Sequence, residues 1–273
     1  MLPDFDRIKL RLSNGALMPI VTMGHGHTPV VYIPGAGDGL STAYDAAWNM
    51  AWFFRSRTPH QRLHIISRRE DIPADYDIAD HARDYVEALD RLQLGPVVLE
   101  CNSAGGPIGQ LMAAHRPDLV RALVLASTTH TIDAHAQGVF TGWLTMIDDG
   151  LWAELAWDTT VRTYRAAQRA QWAAPVLKPI LGALSRPTNP IRFKRLLEGL
   201  LRVDNSSILG DISCPTLVFG GTRDPIFARA LQQQMAAAIS HARYVEAPGH
   251  LHGADLESPA YPRAVAELIT ATR

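Results

Sequence analysis

Cysteine is nearly missing from the 273 residues: Cys101 and Cys214 are the only two. Two cysteines cannot build a disulfide framework, and they suit a reducing compartment. Lysine is almost as scarce, at Lys9, Lys178 and Lys194, and none of the three follows a glycine, so the chain has no phosphate-cradling P-loop. An excess of either charge is lacking too. Lys+Arg 26 against Asp+Glu 27 leaves a formal net charge of −1, which gives no electrostatic footprint for a nucleic-acid backbone or an anionic membrane surface. No apolar run reaches the ~20 residues that span a bilayer. The start, Met1 to Arg7, has neither the basic stretch nor the apolar stretch of a signal peptide. These absences predict a cytoplasmic protein with no nucleic-acid partner and no membrane partner, and they leave a homodimer open. What is present is globular composition, 47% apolar and 19% charged, in a length that suits one large domain with an insertion.

The chain opens on period-two alternation. Arg7 to Leu12 and Met18 to Met23 read as strands of a hairpin, separated by the turn signal Ser13-Asn14-Gly15. Val30 to Ile33 and Leu63 to Ile66 are short β-branched or apolar runs that suit strands buried on both faces. Leu40 to Phe54 has a helical pattern, with Trp48 and Trp52 expected in the core. Tyr76 to Leu94 is the clearest helix, with Ile78, His81, Tyr85, Ala88, Leu89 and Leu92 at steps of three and four before Gly95-Pro96. Strand 97–99, helix 107–115 and strand 122–126 follow. The rhythm breaks near Thr129 and resumes near Pro215 with strand 216–219, helix 227–238, strand 243–246 and helix 261–270. The expectation is one α/β core, residues 1–128 and 212–273, interrupted by a helical insert over 129–211.

Ser103 stands in Leu99-Glu100-Cys101-Asn102-Ser103-Ala104-Gly105-Gly106, after a buried strand and before a helix. Cys101 and Gly105 make this small-x-Ser-x-small, one residue away from G-x-S-x-G. In that pattern a serine sits exposed on a strained strand-to-helix turn, with helix amides aimed at its oxygen. The more ordinary job for a serine there, a helix N-cap, is the weaker reading of this motif. Asp224 lies a few residues past the strand ending at Phe219, and His250 just past the strand ending near Glu246. The carboxyl ends of parallel strands line one crevice, so Ser103, Asp224 and His250 are expected to converge.

These three residues, in the order Ser, Asp, His, make the chain resemble the α/β-hydrolase superfamily over nearly its whole length, and particularly its smaller cap-bearing esterases, enol-lactonases and perhydrolases. The resemblance implies an α/β-hydrolase fold: a mostly parallel eight-stranded sheet whose first strands are antiparallel, helices on both faces, and a helical cap inserted after strand six. It implies that Ser103 is the nucleophile, His250 the base and Asp224 its orienting acid. Pro34-Gly35-Ala36-Gly37-Asp38 matches the family's oxyanion loop, with the Ala36 and Ala104 amides as donors. Glu257-Ser258-Pro259 resembles the acidic-x-Pro opening of the last helix. Asp38, Asn102, Trp143, Trp152 and Trp157 are candidate pocket residues; Trp172 is a fourth tryptophan of the insert.

Three features set limits on this reading. The glycine run after strand three is not a dinucleotide fingerprint, because Leu40 stands where its last glycine would be. Where relatives carry Arg-Gly-x-Gly-x-Ser after strand four, this chain has Ser67-Arg68-Arg69-Glu70-Asp71, whose arginines read as solvated surface charges. His25-x-His27 and His250-x-His252 lie in glycine-rich turns with neither H-E-x-x-H nor a cysteine pair, so no metal is expected. The expected activity is therefore that of a cofactor-independent serine hydrolase acting on a small-molecule carboxylic ester or lactone. Thioesters, perhydrolysis and C–C bond cleavage are alternatives with the same residues, and a non-catalytic binding protein is the rival from another class.

Overall fold

The computed structural model describes residues 3–184, 187 and 189–272. Met1 and Leu2, at the start read above for a signal peptide, and Ser185, Arg186 and Thr188 of the insert lie outside the described residues, as does Arg273. Strand β1 (Phe5–Arg11) turns at Gly15 into β2 (Leu17–Met23), and the two pair antiparallel. Alternating with helices come β3 (Thr28–Ile33), α1 (Ala47–Phe54), β4 (Gln61–Ile66), α2 (Ile78–Arg91), β5 (Val97–Asn102), α3 (Gly106–His115) and β6 (Val120–Ala126). Among the described residues five α-helices then intervene: α4 (Ala134–Asp148), α5 (Trp152–Thr163), α6 (Arg165–Arg169), α7 (Ala174–Leu184) and α8 (Pro190–Leu200). The alternation resumes with β7 (Thr216–Gly221), α9 (Arg229–Ala238), β8 (Ala242–Ala247), α10 (Ala254–Glu257) and α11 (Ala260–Ala271).

The eight strands form one sheet in the order β1-β2-β4-β3-β5-β6-β7-β8, with β1, β2 and β4 paired antiparallel and every pair from β4 to β8 parallel. The apolar runs of the central strands are explained by burial on both faces. Val31, Ile33, Leu99, Cys101, Leu123 and Leu125 face one core, and Val30, Tyr32, Val98, Val124 and Ala126 face the other. The first core is covered by α2, α3 and α9, the second by α1 and α11. Helix α2 begins where Asp77 and Asp80 form a reciprocal capping box. It buries Ile78, Ala82, Tyr85 and Leu89 at steps of three and four, each apolar side chain worth roughly 1.5–3 kcal/mol if fully buried. Glu100, on the central strand, is tolerated because Arg57 binds it bidentately at 2.8 and 2.5 Å and Tyr261 donates to it at 2.7 Å. Among the described residues no helix is long and apolar enough to cross a membrane.

Three sequence expectations need correction. The helix expected from Leu40 starts at Ala47, because Thr42 Oγ1 accepts from the Asp45 amide and holds residues 42–45 in a turn of their own. Trp48 and Trp52 are not core residues: they are 64% and 58% exposed. Trp48 packs edge-on against Phe5, and the Arg55 guanidinium covers Trp52 at 4.3 Å. The helix expected from Phe227 starts at Arg229, because the Ile226 and Phe227 amides are bonded to Asp224 Oδ1.

Candidate active site

The carboxyl ends of β3, β5, β6, β7 and β8 open on one crevice. At the end of β5 the chain enters a tight turn in which Ser103 has φ +47°, a left-handed conformation that costs a non-glycine residue about 1–2 kcal/mol. A Cβ at Gly105 would stand 2.5 Å from the Ile33 carbonyl oxygen, so the turn can pass this close to β3 only with glycine there. Cys101, on the other side of Ser103, is fully buried beside Gly109, which leaves room for its sulfur.

Ser103 Oγ lies 2.9 Å from Nε2 of His252, not of His250. Nδ1 of His252 lies 3.0 and 3.2 Å from the two Asp224 oxygens. A carboxylate only accepts, so Nδ1 carries the proton and Nε2 is the acceptor for the Ser103 hydroxyl. Asp224 is fixed by the Ile226 and Phe227 amides at 2.8 and 3.1 Å, and the Phe227 ring meets the His252 ring edge-on.

The expected convergence of Ser103 and Asp224 with His250 is therefore corrected by two residues. After β8 the chain turns at Gly249 (φ +72°), and the His250 carbonyl is held under the end of β7 by the Arg223 amide at 3.0 Å. Its ring folds back on that turn, donating from Nδ1 to the Pro248 carbonyl at 3.0 Å, with Nε2 buried and unpartnered. Two residues further on the chain has risen to the level of Ser103. There the His252 and Gly253 amides bond to the Arg162 and Thr163 carbonyls at the end of α5.

The crevice deepens into a cavity of about 870 Å³, walled by Tyr32, Phe54, Phe140, Phe193 and Phe227 among other apolar side chains. Ala36, Ala104, Asp38, Asn102 and Trp143 line it, while Trp152 and Trp157 do not; Trp172 is 84% exposed. The loop after β3 comes close: a Cβ at Gly35 would lie 2.6 Å from Asn102 Oδ1 and 3.2 Å from Ser103 Cβ. Among the described residues no group of three or more His, Cys, Asp or Glu could hold a metal ion.

A strand-to-helix serine hydrogen-bonded to a histidine, itself held by an acid from another strand end, is one arrangement among many that a parallel sheet can carry, and the comparisons bear on the fold that carries it. Residues 56–259 match the family model described as alpha/beta hydrolase fold. The chain belongs to that family. Among curated proteins it is 24% identical over 259 residues, 92% of each chain, to the (E)-2-((N-methylformamido)methylene)succinate hydrolase of Acinetobacter baylyi. It is 29% identical over 183 residues to the pimeloyl-[acyl-carrier protein] methyl ester esterase of Chromobacterium violaceum, covering 60% of this chain and 66% of that one. The crystal structure of the enol-lactonase from Burkholderia xenovorans superposes with a TM-score of 0.80 at 21% identity, covering 96% of this chain and all of that one.

Two further features of this alpha/beta hydrolase are not legible in the sequence as site elements. Asp255, three residues past His252, accepts from Asn102 Nδ2 at 2.7 Å and from Ser127 Oγ at 2.9 Å, Ser127 itself being held at φ +49°. Burial pushes the Asp255 carboxyl up to about 6, although the Ser127 bond and the His252 charge pull it down. Burial also disfavours the charged form of His252. The Asp224 charge, the hydrogen bond to it and the Asp255 charge outweigh that effect, so its pKa is raised above the ordinary 6.5. In sequence Asp255 reads as an ordinary acid in the first turn of a helix.

The second feature corrects the reading of Arg68 and Arg69 as solvated surface charges: both are buried. Carbonyls of the loop after β3 and of the segment after β4 supply some of their acceptors, while Arg68 Nε and Nη2 are buried without a partner among the described residues. Arg68 donates to the Pro34 and Gly35 carbonyls at 3.0 and 3.3 Å, and Arg69 to the Asp71 carbonyl at 2.5 Å. Arg192 of α8 ties the helical segment to this loop, bonding Asp38 Oδ2 and the Arg68 carbonyl at 2.8 Å each, the Arg69 carbonyl at 3.0 Å, and the Asp38 carbonyl. Replacing it (Arg192→Met) leaves Asp38 with the Arg68 amide at 3.0 Å and the Arg68 guanidinium 3.6 Å away. The expected cost is about 3–5 kcal/mol, a melting temperature roughly 10 °C lower by differential scanning fluorimetry. A change under about 2 °C would mean that the guanidinium is not buried in this network.

Proposed function

We propose that this protein is a serine hydrolase that cleaves a carboxylic ester or lactone with a largely apolar acyl part. The supporting observation is the hydrogen-bonded chain from Ser103 through His252 to Asp224 at the edge of an apolar cavity. In this reading His252 Nε2 takes the proton as Ser103 Oγ attacks the carbonyl carbon, and Asp224 stabilises the imidazolium. The tetrahedral oxyanion is held by the Ala36 and Ala104 amides. His252 then returns the proton to the departing alkoxide. Water, deprotonated by the same nitrogen, attacks the acyl-enzyme and releases the acid and Ser103. The helical segment 129–211 acts as a cap, with Trp143 contributing to the pocket wall.

Incubation with a fluorophosphonate probe, followed by peptide mapping, is expected to place one adduct on Ser103; an unlabelled, folded protein would overturn the reading. A panel of matched esters, thioesters, lactones and amides then ranks the bond types. A C–N bond is the second reading, favoured by the Acinetobacter baylyi relative, whose name describes an N-methylformamido substrate and whose match covers 92% of this chain.

The raised pKa of His252 fixes a pH response. The neutral imidazole is the base, so kcat/KM should rise with pH through a midpoint above 6.5. Removing the adjacent negative charge (Asp224→Asn) should move that midpoint down. A wild-type midpoint at or below 6 would mean that the Asp224 and Asp255 charges do not act on the base.

A further inference from the structure

Among the described residues, the one imidazole in the cavity wall is that of His252, the base beside Ser103. Among the described residues that line the cavity there is no lysine and no arginine, and its carboxylates are Asp38 and Asp255. The two differ in company. Asp38 is neutralised from behind by Arg192 at 2.8 Å and Arg68 at 3.6 Å. Asp255 has only neutral donors, Asn102 Nδ2 on one oxygen and Ser127 Oγ on the other. Asn102 immediately precedes Ser103, so this carboxylate stands beside the nucleophile, in a fully buried place where water screens it little.

We propose that Asp255 is a specificity-determining residue that makes the cavity refuse any substrate whose enclosed part bears a free carboxylate, restricting the enzyme to uncharged acyl chains. This rests on Ser103 being the nucleophile. An enclosed substrate carboxylate would lose its hydration, find no lysine or arginine among the described lining residues and only the His252 imidazole, neutral when it acts as base, and face the negative charge of Asp255. Desolvation alone disfavours an enclosed anion, but if Asp255 were purely a structural anchor for Asn102 and Ser127, removing its charge would leave the discrimination unchanged.

Methyl hexanoate and monomethyl adipate differ in only one respect at the far end of the acyl chain: a methyl group in the first is a carboxylate in the second. At pH 8, above the Asp255 value of about 6, wild-type kcat/KM is expected to favour methyl hexanoate over monomethyl adipate by on the order of 100-fold. Dimethyl adipate, polar but uncharged, should behave like methyl hexanoate. Asp255→Asn, checked for its melting temperature, is expected to cut the discrimination at least tenfold, mainly through KM for the anion. A wild-type ratio below about 5, or a ratio that Asp255→Asn leaves unchanged, overturns the proposal.

If the variant does not fold, wild type alone can still overturn the proposal. Across monomethyl esters from succinate to sebacate, the discrimination should be largest for short chains and fade once the carboxylate reaches solvent; equal turnover of acid and neutral partner at every length overturns it. The two readings fail separately. A protein that takes the fluorophosphonate on Ser103 and hydrolyses both adipates equally loses only the specificity claim, whereas one that is unlabelled and hydrolyses none loses both.

Discussion

The His252→Ala variant is expected to lose ester turnover by on the order of 10⁴-fold or more, while His250→Ala stays within about tenfold of wild type. The two residues are only two positions apart, so the pair of variants is a sharp test. His252 is the imidazole within reach of Ser103 Oγ, at 2.9 Å, and Asp224 holds its other nitrogen. Without it, Ser103 Oγ loses the imidazole nitrogen to which it is hydrogen-bonded. The His250 ring is turned toward the Pro248 carbonyl of its own turn. Its removal takes away packing at the end of β8 and should show as a modest fall in melting temperature rather than in rate. A 10⁴-fold loss in His250→Ala with His252→Ala active would reverse the assignment.

That contrast also shows how far sequence reasoning reaches. The strand and helix rhythm is legible because burial on both faces demands unbroken apolar runs such as Val30 to Ile33 and Ala122 to Ala126, and these runs need no tertiary information. Ser103 and Asp224 are legible because each follows such a run within a few residues, where parallel topology fixes which edge it reaches. The histidine is not, because Gly249 lets the chain after β8 take a left-handed step, and composition does not tell how many residues that detour uses. The reading of Arg68 and Arg69 fails for a related reason. Two adjacent arginines look solvated until their acceptors are known, and these come from Pro34, Gly35, Asp71 and Asp38, with Arg192 reaching in from more than a hundred residues away. Asp255 is silent for the same cause: its partners Asn102 and Ser127 belong to segments far from it in the chain.

Removing the Ser103 hydroxyl should separate stability from turnover. Ser103→Ala and Ser103→Gly are both expected to lose ester turnover by on the order of 10⁴-fold or more, since neither retains the attacking oxygen. Their stabilities should differ in a direction set by the backbone. At φ +47° any side chain with a Cβ is strained by about 1–2 kcal/mol, and glycine is not. Glycine, in turn, makes the unfolded chain more flexible, which costs about 0.4–1 kcal/mol. The strain is the larger of the two, so Ser103→Gly should be at least as stable as Ser103→Ala, by up to about 1 kcal/mol or a few degrees in melting temperature. In a helix or strand of ordinary geometry the order would be the reverse. An alanine variant more stable than the glycine one would therefore mean that Ser103 is not held in a left-handed turn, and that the strained presentation of its hydroxyl to His252 does not exist in solution.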